Sequence, residues 1–146
     1  MVPSLKIFII AAVWAGVSVY LPVIYKNNVW SIDASLLTAQ QFMLVLALIV
    51  PFEIRDLRYD STNLGTLPQV IGIKKTKQFG LLMVLGCVFL EFFKETENLP
   101  GSLLHFFILV ITTIAILKAT TNQHRYYASF FVEGIPILWF LLSLVF

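Results

Sequence analysis

The stretch Ala34–Phe52, ASLLTAQQFMLVLALIVPF, runs without a charged residue between Asp33 and Glu53. A helix that crosses a bilayer needs about 20 mostly apolar residues, because the hydrocarbon core is about 30 Å thick and each residue rises about 1.5 Å. This stretch meets that requirement. It therefore predicts a membrane-spanning helix.

The composition of the chain agrees with a membrane location. Hydrophobic residues make up 59% and charged residues 12% of the 146 residues, whereas a soluble domain has about 25% charged residues. The 10 Lys and Arg residues are scattered and give a net charge of only +2, which excludes the dense basic face of a nucleic-acid-binding protein. A single cysteine, Cys87, excludes a disulfide scaffold.

Four further stretches are apolar enough to cross a bilayer or nearly so. The sequence therefore predicts an all-α integral membrane protein with about five transmembrane helices, formed by residues 1–146 as a single unit. One long polar stretch, residues 53–77, separates the second span from the third, and the other connections are short. The predicted spans are residues 7–25, 34–52, 78–93, 98–117 and 126–146.

Basic residues fall unevenly on the two sides that five spans create. Lys26 and Lys94 lie on one side, and the other eight of the 10 Lys and Arg residues lie on the opposite side. Cytoplasmic loops carry the excess of Lys and Arg. The N-terminus and the 53–77 loop are therefore predicted to be cytoplasmic and the C-terminus outside, with a bacterial inner membrane as the expected location. The eight are Lys6, Arg55, Arg58, Lys74, Lys75, Lys77, Lys118 and Arg125.

Three carboxylates follow the second predicted span at helical spacing. Glu53, Asp56 and Asp60 share one face if the helix continues through them. Like charges on one face repel, and Mg²⁺ would compensate them because it takes carboxylate oxygens together with phosphate and water. Arg55 and Arg58 flank the face and could hold phosphate oxygens. A solvated helix end, in which these arginines simply pair with the acids, explains the spacing equally well.

The residues that follow extend this pattern. It consists of Glu53-x-Arg55-Asp56-x-x-x-Asp60, the turn Gly65-Thr66-Leu67-Pro68, and Gly72 before the third predicted span. It resembles the second aspartate-rich motif of the UbiA-type intramembrane prenyltransferases, in which a D-x-R-D-x-x-x-D pattern is followed by Thr-Leu-Pro and a glycine. The family has nine spans with this motif after the sixth, so the chain resembles, more loosely, the C-terminal half of the nine-helix bundle.

The resemblance implies an enzyme that transfers a polyprenyl group from its diphosphate to an aromatic or other lipid-precursor acceptor. It implies that Asp56 and Asp60 are the catalytic residues and bind Mg²⁺, the expected cofactor, together with the diphosphate. Glu53 and Arg55 take the motif's neighbouring positions and would contact the substrate. Lys74 could also reach the diphosphate, although anchoring of the third span at the interface explains it as well.

The first aspartate-rich motif of that family, N-x-x-x-D-x-x-x-D, is absent, since Asn27-Asn28 is followed only by Asp33. The chain alone is therefore expected to be inactive, and an N-terminal half that carries the first motif is an expected partner. A non-catalytic membrane subunit, which binds a partner or a lipid headgroup through the acidic helix end, is the alternative. A CDP-alcohol phosphatidyltransferase would require D-G-x-x-A-R, which the sequence does not contain.

Several polar residues lie inside or at the ends of the predicted spans. Gln40 and Gln41 are expected to form hydrogen bonds between helices. Glu91 and His105 are expected near the outer interface as capping or snorkelling groups. Glu133, about 12 Å beyond the start of the last span at about 1.5 Å per residue, is a candidate functional acid or a structural partner of another helix.

The charge asymmetry generates a topology prediction. Single cysteines introduced as Ser61→Cys and Asn28→Cys, each in a Cys87→Ala background, should react with a membrane-impermeant thiol reagent from opposite sides of the membrane. Ser61→Cys should be labelled only from the cytoplasmic side, because the 53–77 loop carries most of the basic residues. Labelling of both positions from the external side would contradict the predicted orientation.

Overall fold

The computed structural model describes residues 5–27, 29, 31–61, 64–95, 99–124 and 126–145. Every regular element in these ranges is helical. Asn28 and Arg125, which the sequence analysis used, lie outside the described residues.

The helices follow one another with short connections. In chain order they are α1 (Leu5–Ala15), α2 (Leu21–Asn27), α3 (Ile32–Asp56), α4 (Leu67–Ile71), α5 (Ile73–Glu91), α6 (Leu99–Lys118) and α7 (Glu133–Ser143). Two segments are π-helical: Gly16–Tyr20 joins α1 to α2, and Tyr127–Val132 leads into α7. π-Helical turns are rare and are found at functional sites more often than elsewhere.

Among the described residues, three helices are long and apolar enough to cross a membrane, namely Leu5–Lys26, Ile32–Asp56 and Leu99–Lys118. Helix α5 has 19 residues, but its first turns carry the lysines that the sequence analysis assigned to the cytoplasmic side. Tyr127–Ser143 is a shorter apolar helix. The all-α architecture is confirmed for the described residues, and the count of five spans stays a prediction.

Residues 53–77, which were predicted as a polar loop, are partly helical. Helix α3 continues to Asp56, the short α4 occupies Leu67–Ile71, and α5 begins at Ile73. Gly72 connects α4 directly to α5 with φ +84° and ψ 157°. Residues other than glycine rarely adopt this backbone conformation. This requirement gives a physical reason for the glycine that ends the sequence motif.

Helix α3 lies at the centre of the bundle. Its buried residues pack against α5 and α6 on one side, and Leu46 packs against Ile7 and Ala11 of α1 on another. Lipid tails are as apolar as these side chains, so close packing rather than the hydrophobic effect favours helix association in a bilayer. The largest shared core consists of Leu44, Ala47, Val50 and Ile54 of α3, Val84 and Cys87 of α5, and Ile108 and Ile116 of α6.

Hydrogen bonds between side chains and backbone join neighbouring helices near one end of the bundle. Lys77 Nζ donates to the Leu117 carbonyl at 2.8 Å, and Gln123 Nε2 donates to the Pro51 carbonyl at 3.2 Å. We call this end, which carries residues 53–77, the motif end. The far end is the opposite one, where α5 finishes at Glu91 and α6 begins at Leu99.

Helix α5 approaches both α3 and α6 closely at Gly80. A Cβ at this position would lie 3.1 Å from Ile116 Cδ1 and 3.1 Å from Val50 Cγ2. Small residues allow helices to approach closely in membranes. A larger side chain at Gly80 would therefore push α3, α5 and α6 apart.

We expect Gly80→Leu to lower the free energy of unfolding by about 1–3 kcal/mol, the usual cost of overpacking a well-packed core. The measurement is thermal or SDS-induced unfolding of the purified chain in detergent. Gly134→Leu is the matched control, because nothing lies within 4 Å of a Cβ at Gly134. Equal stability of the two variants would show that the packing at Gly80 does not hold the bundle together.

Candidate functional site

The acidic motif lies where α3 ends. Helix α3 finishes at Asp56, and the chain then forms one further turn in which the backbone N–H groups of Tyr59 and Asp60 both donate to the Asp56 carbonyl at 2.8 Å. Asp60 therefore follows Asp56 after a single tight turn, although the regular helix assumed for the three-acid face does not extend that far. The backbone keeps the two aspartates near each other at the motif end.

Arg55 makes contacts within the chain. Its Nε donates to Asp56 Oδ1 at 2.7 Å, its Nη1 donates to Ser129 Oγ at 3.1 Å, and its guanidinium carbon lies 5.3 Å from the centre of the Phe52 ring. These contacts join the end of α3 to the π-helical segment before α7. The Arg55–Asp56 pair is also the arrangement that a solvated helix end would show, so it does not by itself distinguish the two interpretations.

Glu53 faces the turn that contains Thr66, Leu67 and Pro68. The Leu67 backbone amide lies in hydrogen-bonding range of the Glu53 carboxylate, and Lys6 is a nearby cation. Gln69 stabilises this turn, because its Oε1 accepts from the Thr66 backbone N–H at 3.3 Å and its Nε2 donates to the Ser61 carbonyl at 3.0 Å. The acidic and Thr-Leu-Pro parts of the sequence motif are therefore adjacent in the fold.

Lys74 lies in the first turn of α5 and is exposed. Of the basic residues that the sequence analysis assigned to the substrate, Arg55 is thus engaged by protein groups and Lys74 faces outward. Within the ranges that the structure describes, no three His, Cys, Asp or Glu side chains come together as a metal site.

An apolar cleft begins beside the motif. Its volume is about 830 Å³, and it runs between α1, α3 and α7 from Phe52 and Glu133 at one end to Ser18, Gln41 and Ser143 at the other. Phe52 precedes the motif residue Glu53 directly. Ligand pockets have volumes of about 300–1,000 Å³, so the cleft is large enough for an extended apolar chain. Glu133, which the sequence left open, lines this cleft.

A polar cluster at the far end centres on Glu91. Its carboxylate accepts hydrogen bonds from Gln40 Nε2 at 2.7 Å and Ser102 Oγ at 2.8 Å, and it pairs with Lys94 Nζ at 2.7 Å. His105 Nδ1 lies 2.9 Å from the same carboxylate. The Glu91 side chain is only 8% exposed, and these partners compensate for its burial.

Three further contacts order the cluster. Gln40 Nε2 also donates to the Cys87 carbonyl at 3.0 Å, and Cys87 Sγ donates to the Gln40 carbonyl at 3.4 Å. The His105 ring stacks on the Trp139 ring with 5.4 Å between their centres and 4° between their planes. Helices α3, α5, α6 and α7 therefore all contribute side chains to the far end.

The sequence indicates that Gln40, Glu91 and His105 are polar residues of the predicted spans, but it does not predict that they meet. Gln40 was correctly expected to form a hydrogen bond between helices. Glu91 and His105 were expected near the outer interface as capping or snorkelling groups. The structure joins both in one network and buries His105. The available signal was their common depth: Gln40 and His105 lie within a few turns of the first residues of α3 and α6, and Glu91 is the last residue of α5.

A cavity of about 440 Å³ adjoins the cluster. Gln40, Glu91, Lys94 and His105 line it, together with Ser18 of the first π-helical segment.

Searches against family models, curated proteins and solved structures find no match to this chain. The assignment of both ends to a function therefore depends on the residues and their geometry.

Replacing the central carboxylate should destabilise the bundle. We expect Glu91→Gln to lower the free energy of unfolding by about 3 kcal/mol, since removing one partner of a buried pair leaves Lys94 without its counter-charge. Glu95→Gln is the matched control: Glu95 is exposed at the same end, and surface substitutions usually change stability by less than about 0.5 kcal/mol. Unfolding in detergent measures both. Similar values for the two variants would show that the Glu91 network does not contribute to stability.

Proposed function

We propose that this chain is the C-terminal part of a UbiA-type intramembrane prenyltransferase, which transfers a polyprenyl group from its diphosphate to an aromatic or other lipid-precursor acceptor. The observation that carries the proposal is the junction of the acidic motif with the apolar cleft. Phe52 lines the cleft and the next residue, Glu53, begins the motif. A polyprenyl diphosphate has the same division into a charged head and a long apolar tail.

The proposed placement follows from this division. The diphosphate lies at the motif end, close to Asp56 and Asp60, and the prenyl tail lies in the cleft between α1, α3 and α7. The C–O bond between the prenyl carbon and the diphosphate breaks, and the diphosphate leaves with the electron pair. The acceptor ring forms a bond to that carbon and loses a proton to solvent or to the departing diphosphate.

The donor set at the motif end suits Mg²⁺. Asp56 and Asp60 supply hard carboxylate oxygens, and Mg²⁺ in phosphate-transfer sites commonly takes one or two carboxylates with the remaining positions filled by phosphate and water. Bound Mg²⁺ would neutralise the charge that develops on the leaving diphosphate. The short turn between the two aspartates holds them in place, while Arg55 orients Asp56 through their 2.7 Å contact.

The missing first motif limits what the chain does alone. The family that the chain resembles holds Mg²⁺ and diphosphate between two acidic motifs, and this sequence carries only the second. We therefore propose that an N-terminal half that carries N-x-x-x-D-x-x-x-D completes the site. The exposed apolar surface of the helices is the surface on which lipid or such a half would pack.

A non-catalytic membrane subunit is the second candidate, and the Arg55–Asp56 pair is the observation that favours it. In that case the acids and arginines stabilise a solvated helix end, and the cleft contacts lipid or a partner helix. The two candidates differ in whether Asp56 and Asp60 bind a diphosphate through a divalent cation.

The first readout is binding by the isolated chain in proteoliposomes. We expect radiolabelled geranylgeranyl diphosphate to be retained more strongly with Mg²⁺ than with EDTA, and Asp56→Asn or Asp60→Asn should remove this difference. Glu95→Gln, an acid at the far end, should behave like the unchanged protein. Retention that is independent of both Mg²⁺ and the two aspartates would favour the non-catalytic subunit.

The second readout is turnover. The isolated chain should not prenylate a panel of aromatic acceptors, whereas the chain fused to an N-terminal half with the first motif should. In the fusion, Asp56→Asn or Asp60→Asn should reduce the rate by about a hundredfold or more, roughly 3 kcal/mol, as for loss of one preorganised electrostatic group. Glu53→Gln should cost less and Lys74→Gln least. Robust turnover by the isolated chain, or unchanged rates in the aspartate variants, would refute the proposal.

A further inference from the structure

We propose that the far-end cavity binds the headgroup of a phospholipid whose amine donates hydrogen bonds. This cavity lies at the opposite end of the bundle from Asp56 and Asp60, so the inference does not depend on the proposed prenyl transfer. The ends of α3, α5 and α6 meet here. In a bilayer, the ends of spanning helices lie at the level of the lipid headgroups.

Two deeply buried side chains in the wall of the cavity have unsatisfied atoms. Gln40 is 2% exposed and His105 is 5% exposed, and both line the cavity. Within the part of the chain that the structure describes, Gln40 Oε1 and His105 Nε2 have no hydrogen-bond partner. Buried polar atoms without partners are costly and rare in native proteins. We therefore expect these two atoms to form hydrogen bonds with a molecule from outside the chain.

The existing contacts fix the chemistry of both atoms. Gln40 Nε2 donates to two acceptors, the Cys87 carbonyl and the Glu91 carboxylate, so the amide is oriented and Oε1 can only accept. His105 Nδ1 lies 2.9 Å from the Glu91 carboxylate and therefore carries a proton. His105 is 5% exposed, and burial favours the neutral ring. In the neutral ring, Nε2 is an acceptor. The missing partner has to donate hydrogen bonds.

The charges around the cavity favour a cationic donor that is attached to an anion. The carboxylates of Glu91 and Asp33 and the ammonium of Lys94 line the cavity. An ammonium group would be attracted to the Glu91 carboxylate and to the stacked Trp139 and His105 rings. Lys94 has three N–H donors and uses one on Glu91, so it can also donate to a phosphate. An ethanolamine phosphate has both groups.

The apolar part of the lipid also has a place. The cavity and the apolar cleft share four lining residues, which are Ser18, Gln41, Trp139 and Ser143. An acyl chain attached to a headgroup in the cavity can therefore enter the cleft at its far-end mouth. The volume of about 440 Å³ lies within the range of about 300–1,000 Å³ found for small-molecule sites. Because both acceptors are buried, the side chains that cover them have to move when the lipid binds.

The test compares two lipids that differ only in their hydrogen-bond donors. Phosphatidylethanolamine and phosphatidylcholine with identical acyl chains have the same net charge, but the methylated amine of the second has no N–H group. Each is added to the purified chain in detergent, and bound lipid is measured by native mass spectrometry. We expect phosphatidylethanolamine to bind about tenfold more tightly, as for loss of hydrogen bonds to buried acceptors. Equal binding of the two lipids would overturn the proposal and indicate that water fills the cavity.

A pair of histidine variants locates the site. His105→Asn can still donate an N–H to Glu91, but it removes the acceptor at Nε2, so the preference for phosphatidylethanolamine should fall to within about threefold. His124→Asn is the matched control, because His124 is exposed in the connection between α6 and α7 near the motif end. It should leave the preference unchanged. A preference that survives in a folded His105→Asn protein would place the lipid elsewhere.

Discussion

The Glu91 carboxylate is the contact that holds the far end of the bundle together. It is nearly buried, and four side chains compensate for its charge. Gln40 comes from α3, Lys94 from the connection after α5, and Ser102 and His105 from α6. A carboxylate in an apolar environment without such partners is strongly unfavourable. The positions of α3, α5 and α6 relative to one another are therefore restricted at this end by the geometry of a single acidic group.

The motif end is held by weaker and more dispersed contacts. Arg55 reaches Asp56 and Ser129, Lys77 reaches a carbonyl at the end of α6, and Gln123 reaches a carbonyl of α3. The Arg55 and Asp56 side chains are 25% and 40% exposed, whereas the Glu91 side chain is 8% exposed. An end built in this way leaves carboxylates accessible to a charged ligand, whereas the far end offers buried acceptors. The two ends consequently suit different chemistry, and the apolar cleft connects them.

The sequence indicated the motif end more completely than the far end. Glu53, Asp56 and Asp60 are close in the chain, and the Thr-Leu-Pro turn follows within a few residues, so their association is largely local. Gln40 and Glu91 are 51 residues apart and Glu91 and His105 are 14 apart, and the three come together only when three helices pack. A pattern along the chain carries little information about such a distant association, because it depends on helix rotation and depth.

The sequence by itself determined that the chain is helical and apolar, because a bilayer core requires long uncharged stretches with internally satisfied backbone groups. It also determined the turn at Gly72, since only glycine readily adopts a positive φ there. The tertiary structure alone decided which polar side chains meet. Helix packing brings Gln40 and His105 to Glu91, and the same packing leaves Gln40 Oε1 and His105 Nε2 without a partner among the described residues, beside a cavity.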